Sequence, residues 1–165
     1  MAEEFQLHGT RQKFAGKFSL SRYYEVLYDL FRLSGFMVCE DKYRLKNVPG
    51  AQELEIIWSC TKEPDSYSKI RIGAKTLLVG WEKKEVMMEG VQTVMDSGDV
   101  ELELKATIIT DYNNKWETNP FLQSVKPVYD KYIYRNTFKE LEKIAINYLY
   151  FVENRMKEFF KMETF

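Results

Sequence analysis

Acid–base and nucleophilic catalysis draw on a small set of side chains, and this chain is poor in the most useful of them. It contains one histidine, His8, and two cysteines, Cys39 and Cys60. A Ser/His/Asp triad or a Cys/His pair needs an imidazole as its base. His8 lies in Gln6-Leu7-His8-Gly9, and nothing in the sequence brings it beside either thiol. The cysteines form no CxxC unit and no zinc-ligand spacing. Both sit in strand-like runs, Met37-Val38-Cys39 and Ile57-Trp58-Ser59-Cys60, and are expected to be buried thiols. Carboxylate-only catalysis survives this elimination. Glu40 and Asp41 are adjacent acids near an apolar strand, yet a turn at the strand end explains them more simply. No catalytic residue, metal ligand or cofactor is assigned.

Aromatic residues offer more. The chain carries 11 Tyr, 11 Phe and 3 Trp, and a buried phenol needs a hydrogen-bond partner while its ring supplies apolar surface. Met87, Met88 and Met95 add flexible thioethers that suit an adaptable cavity as well as an irregular core. An apolar pocket with a few polar groups is expected to be lined by Trp58, Ile72, Met88, Leu104, Tyr132 and Tyr148, each read as pointing to the interior.

Charge narrows the partners. Twenty-four Lys+Arg against 25 Asp+Glu give a formal net charge of -1, so no bulk attraction to nucleic acid is expected. Lys126, Lys131, Arg135, Lys139 and Lys143 cluster in the last third, but Asp130, Glu140 and Glu142 interleave with them. No apolar run approaches the roughly 18–20 residues of a membrane span. The opening Met-Ala-Glu-Glu-Phe lacks the basic and apolar regions of a secretory signal. A cytoplasmic protein is therefore expected.

The elements that must position these residues follow from periodicity. Phe5 to Phe14 reads as a strand, broken at Gly16. Leu20, Tyr23, Tyr24, Leu27, Leu30 and Phe31 then form one helical stripe, with Ser19 or Ser21 as N-cap and Ser34-Gly35 as terminator. Beyond Gly35 the period falls to two. Phe36 to Leu45 is a strand candidate, followed by a turn at Asn47-Val48-Pro49-Gly50. Leu54, Ile56, Trp58 and Cys60 share the face of the next strand. Ile70, Ile72, Ala74 and Leu78 mark another, Val86 and Met88 a further one, and Gly90 a break. Val91 to Met95 leads to a hairpin turn at Asp96-Ser97-Gly98-Asp99, then to Val100, Leu102, Leu104, Ala106 and Ile108. The opposite face carries Glu53, Glu55, Lys69, Arg71, Lys75, Glu85, Glu101, Glu103 and Lys105, a solvated surface of mixed sign. Asn119-Pro120 starts a helix that Pro127 interrupts. Thr137-Phe138-Lys139-Glu140 matches a capping box, and Phe138, Leu141, Ile144, Ala145, Tyr148, Val152, Met156 and Phe159 give a long amphipathic helix.

The expectation is a single α+β domain over residues 1–165, a curved antiparallel sheet of about six or seven strands packed by an N-terminal helix and a long C-terminal helix. That order resembles the helix-grip architecture of the START and polyketide-cyclase-like superfamily. The resemblance implies a cavity between sheet and C-terminal helix for lipids, hormones or polyketides. Phe14-Ala-Gly-Lys-Phe18, Gly98-Asp-Val-Glu-Leu-Glu103, Asn119-Pro-Phe121 and Val128-Tyr-Asp-Lys-Tyr132 are also similar to small archaeal proteins of uncharacterised function. The functional reading is a binding module for an apolar or amphipathic small molecule. The alternative is a macromolecular interaction protein; a cyclase-, isomerase- or hydrolase-like enzyme ranks behind both. Oligomeric state stays open, since the strand from Phe36 to Leu45 could pair with a copy of itself.

Overall fold

The computed structural model describes residues 2–163. The chain runs β1 (Glu3–Phe18), α1 (Leu20–Leu33), β2 (Met37–Val48), β3 (Ala51–Lys62), β4 (Ser68–Met88), β5 (Val91–Thr110), α2 (Pro120–Val128) and α3 (Arg135–Glu163). A π-helical turn, Tyr129–Ile133, joins α2 to α3. The strands form one five-stranded antiparallel sheet in the order β1-β5-β4-β3-β2.

Local chemistry explains the joints. Ser19 caps α1, its hydroxyl accepting the Arg22 amide. Gly35, at φ 86°, ends the helix in the left-handed region that a Cβ would disfavour. Pro49 and Gly50 turn β2 into β3, with Gly50 at φ 83°. Asn119 caps α2 through the Phe121 amide, and Pro120 occupies the first turn.

The sheet has five strands where six or seven were expected, because β4 and β5 are 21 and 20 residues long and each absorbs two of the segments read from the sequence. Asp96 to Asp99 is not a hairpin turn. It is continuous strand, paired with Lys17, Gly16 and their neighbours on β1 and, past an irregularity between Val79 and Glu82, with β4. The true reversal is at Glu89 and Gly90, both at positive φ (50° and 80°), the geometry a two-residue hairpin matches to the strand twist. Gly16 likewise continues β1 instead of breaking it, facing Gly98 across the ladder. The capping box at Thr137 does not form. The Phe138 amide already bonds the Tyr134 carbonyl, so the π-helical turn feeds straight into α3 and leaves no free helix start there.

The alternation seen in the sequence becomes one dry face and one wet face. Leu54, Ile56, Trp58, Cys60, Ile70, Ile72, Ala74, Leu78, Val100, Leu102, Leu104, Ala106 and Ile108 are all buried. Two helical stripes cover them, Tyr23, Leu27 and Phe31 from α1 and Leu141, Ala145, Leu149, Val152, Met156, Phe159 and Phe160 from α3. On the wet face Arg11 bridges Glu101 and Glu103, Lys105 also pairs with Glu103, and Lys42 with Glu55, all at 3.0 Å. Bonding to Lys105 and Arg11 holds Glu103 below the usual carboxylate range, and Lys42 does the same for Glu55. No helix among the described residues is long and apolar enough to cross a membrane.

Candidate functional site

A grouping of polar and aromatic side chains lies where the sheet meets the start of α3, and a turn builds it. Asp65, between β3 and β4, accepts the Tyr67 and Ser68 amides on one oxygen at 2.8 and 2.6 Å. This Asx-type turn aims Tyr67 at three other rings: Tyr134 at 4.8 Å, Tyr129 at 5.7 Å and Trp116 at 6.0 Å between centroids. The π-helical turn supplies the other half. The Tyr67 hydroxyl donates to Asp130 Oδ1 at 2.7 Å, while Lys126 Nζ donates to Asp130 Oδ2 at 3.1 Å and to Glu3 at 3.0 Å. The Tyr134 hydroxyl bonds Ser68 Oγ and reaches Asp65 Oδ2 at 3.4 Å.

Burial raises the Tyr67 phenol, and its bond to Asp130 adds to the shift. Burial likewise raises Tyr134, reinforced by the charge of Asp65. Both phenols therefore stay protonated and act as hydrogen-bond donors. Burial works against the Lys126 ammonium, but its bonds to Glu3 and Asp130 outweigh that and leave it firmly charged.

Beside this network a cavity of about 380 Å³ opens between the ends of β1 and β5 and the first turns of α3. Phe5 and Phe138 form its apolar wall, their rings edge-on at 5.1 Å. Tyr134 and Thr110 close the inner end, and Glu3, Asp130, Arg135, Lys139 and Glu142 stand around the rim. Arg135 and Lys139 lie one turn apart on the same helix face, and among the described residues neither has a carboxylate partner. The lining thus combines an apolar wall, the ring of Tyr134, two cations, Arg135 and Lys139, and three carboxylates, Glu3, Asp130 and Glu142. His8 sits at an irregularity of β1, 3.0 Å from the Tyr150 hydroxyl. Cys60 is buried, and burial pushes its thiol up to about 12.

Cys39 is exposed, contrary to the expectation of two buried thiols, because β2 is an edge strand and Cys39 lies on its uncovered side. Glu40 and Asp41 are not at a strand end. They sit within β2 at a bulge, Glu40 accepting from Tyr24 (2.7 Å) and Trp58 (3.0 Å), and Asp41 from the Ser59 hydroxyl.

The six residues read from the sequence as pocket lining fall in different places. Trp58, Ile72 and Leu104 belong to the packed core, each 2% exposed or less. Tyr148 packs against that core, stacked on Phe36 at 4.7 Å, with its hydroxyl donated to the Leu30 carbonyl at 2.5 Å. Burial pushes it up to about 12. Met88 stands at the far end of β4, and Tyr132 is 70% exposed in the π-helical turn beneath Lys131. None of the six lines the cavity at the start of α3. Its lining includes Phe5, Phe138, Arg135 and Lys139. Their nearest signal in the sequence was the Arg135/Lys139 spacing beside Tyr134.

No protein-family model, curated protein or solved structure matches the chain.

Proposed function

We propose that the protein is a cytoplasmic binding module for a small amphipathic molecule with an anionic head, held between the sheet and α3 in the manner of a helix-grip domain. The cavity bounded by Phe5 and Phe138 and rimmed by Arg135 and Lys139 carries this reading. Its volume of about 380 Å³ falls within the roughly 300–1,000 Å³ range of small-molecule sites. An acyl chain would replace water against the two phenyl rings, and a singly charged carboxylate would take Arg135 and Lys139. Glu3, Asp130 and Glu142 in the same lining disfavour a second negative charge.

Titration with decanoate followed by calorimetry tests it, with decanol as the neutral control. Each charge-assisted bond contributes about 1.5–3 kcal/mol, so Arg135→Gln and Lys139→Gln should each weaken decanoate by about 10- to 150-fold. Glu142→Gln should tighten it. Equal affinity for decanoate and decanol, or binding indifferent to all three substitutions, would remove the reading. Native mass spectrometry of freshly purified protein would reveal a co-purifying ligand as an excess mass lost on denaturation.

One observation favours the alternative, a macromolecular interaction role. Beyond Trp81 and Asp96, β4 and β5 pair only with each other. This two-stranded ribbon exposes Met87, Val91 and Val94 and has two open edges, so the partner it suits is the ribbon of a second copy. Sedimentation equilibrium distinguishes the cases: a concentration-dependent dimer lost in Val91→Lys/Val94→Lys supports it, and a monomer throughout excludes it.

A further inference from the structure

A second hollow, of about 450 Å³, lies at the opening of α1, away from the α3 cavity. Tyr24 of α1, Tyr43 of β2 and Trp81 of β4 wall it, and Glu25, Lys83 and Asp96 stand around them. Tyr43 is 55% exposed although its strand partner, Ile56, is buried. An aromatic face left open to solvent at the edge of a core is not explained by packing.

The carboxylates settle what such a site suits. The Tyr24 hydroxyl donates to Glu40 at 2.7 Å, and the Trp81 indole donates to Asp96 Oδ1 at 2.8 Å. Asp96 is fixed for this by its other oxygen, which accepts the Leu20 amide at 2.9 Å. A ring whose O–H or N–H is given to a carboxylate gains electron density on its face, and a cation is attracted to that face. Burial, then the bond to Glu40, pushes Tyr24 up to about 12, so the phenol keeps its proton and its bond. Glu25 and Asp96 line the hollow against the single lining cation, Lys83, and Glu40 stands behind Tyr24 as its hydrogen-bond acceptor.

We propose that this cleft binds a compact organic cation of the alkylammonium class, seated between Tyr24, Tyr43 and Trp81. Lys83 is then the residue that limits affinity, and a ligand bearing an anion beside its cation would turn it to advantage.

Choline is the probe, with 3,3-dimethyl-1-butanol as its uncharged isostere, and Trp81 fluorescence and calorimetry report binding. Choline should bind saturably and at least about 10-fold more tightly than the alcohol. One cation–π contact corresponds to about 2- to 30-fold in affinity, so Tyr43→Ala should weaken choline within that range while Tyr43→Phe restores it. Tyr43 is exposed, so the fold should tolerate both changes. Lys83→Gln should tighten choline and leave the alcohol unchanged. Equal binding of choline and the alcohol, no saturation at tens of millimolar, or indifference to Tyr43→Ala would each overturn the proposal. Decanoate binding at the α3 cavity should be unaffected by Tyr43→Ala, which separates failure of this site from failure of the other.

Discussion

The docking of α1 onto the sheet rests on a buried polar contact whose energetics can be worked through. The Tyr23 side chain is 1% exposed and Thr76 is 2% exposed, and their hydroxyl oxygens are 2.7 Å apart. Rings surround the pair: Tyr23 stacks on Phe160 at 5.7 Å and meets Phe18 edge-on at 6.3 Å. Tyr23→Phe keeps every ring contact and strands the Thr76 hydroxyl in an apolar setting. Thr76→Val keeps the volume and strands the phenol. An orphaned buried hydroxyl costs about 1–3 kcal/mol, whereas removing both partners of a buried bond together is close to neutral. Each single variant should therefore lose about 1–3 kcal/mol. The double variant should lose less than the sum by a similar amount, a coupling characteristic of residues in direct contact. Urea unfolding monitored by circular dichroism measures this, provided the slope with denaturant is the same in all four proteins. In a chain of this size each kcal/mol corresponds to about 2–4 °C in Tm. Strict additivity of the two single effects in the double variant would refute the reasoning, since it would mean the hydroxyls do not depend on each other.

Two further outcomes follow from the core and its phenols. Burial raises Tyr23, Tyr24, Tyr67, Tyr134 and Tyr148 above the ordinary 10.0, Tyr24 and Tyr148 to about 12. The unfolded chain gives up these protons first, so the phenols' contribution to stability is complete below pH 10 and is lost as pH rises through the folded values. The urea midpoint should fall steadily above pH 10, and a midpoint unchanged from pH 9 to 11.5 would contradict this. Ile72→Ala, in the fully buried core, should cost about 2–5 kcal/mol. Met88→Ala, on the exposed ribbon, should stay within about 0.5 kcal/mol; chemical denaturation of the two variants side by side checks both.

Much of the fold was legible wherever a local rule and the global packing ask for the same thing. Leu54, Ile56, Trp58 and Cys60 alternate because one side of β3 faces the helices, and all four are buried. Ser19, Pro49-Gly50 and Asn119-Pro120 act on amides and dihedrals within a few residues of themselves, so their composition sufficed. Asp96-Ser97-Gly98-Asp99 has the composition of a turn, yet β1 pairs along it, and Asp96 is claimed by a helix amide and a distant indole. Local chemistry allowed two outcomes there and long-range pairing chose one. Thr137 failed as a cap for the same reason: α3 already begins at Arg135, so Thr137 lies inside the helix and the amides it would have served are bonded within it.

The chain's composition and periodicity thus determined an antiparallel sheet with one dry face and two helices to cover it. Which aromatic rings fill the core and which border open space was decided only in three dimensions. Trp58 and Tyr132 are both aromatic residues in structured segments, yet one is buried and the other lies in solvent. Phe5 meets Phe138 only because β1 lies at the edge of the sheet beneath the start of α3. Periodicity reports which side of an element is apolar; how far the covering element extends over that side is set by packing between residues distant in sequence.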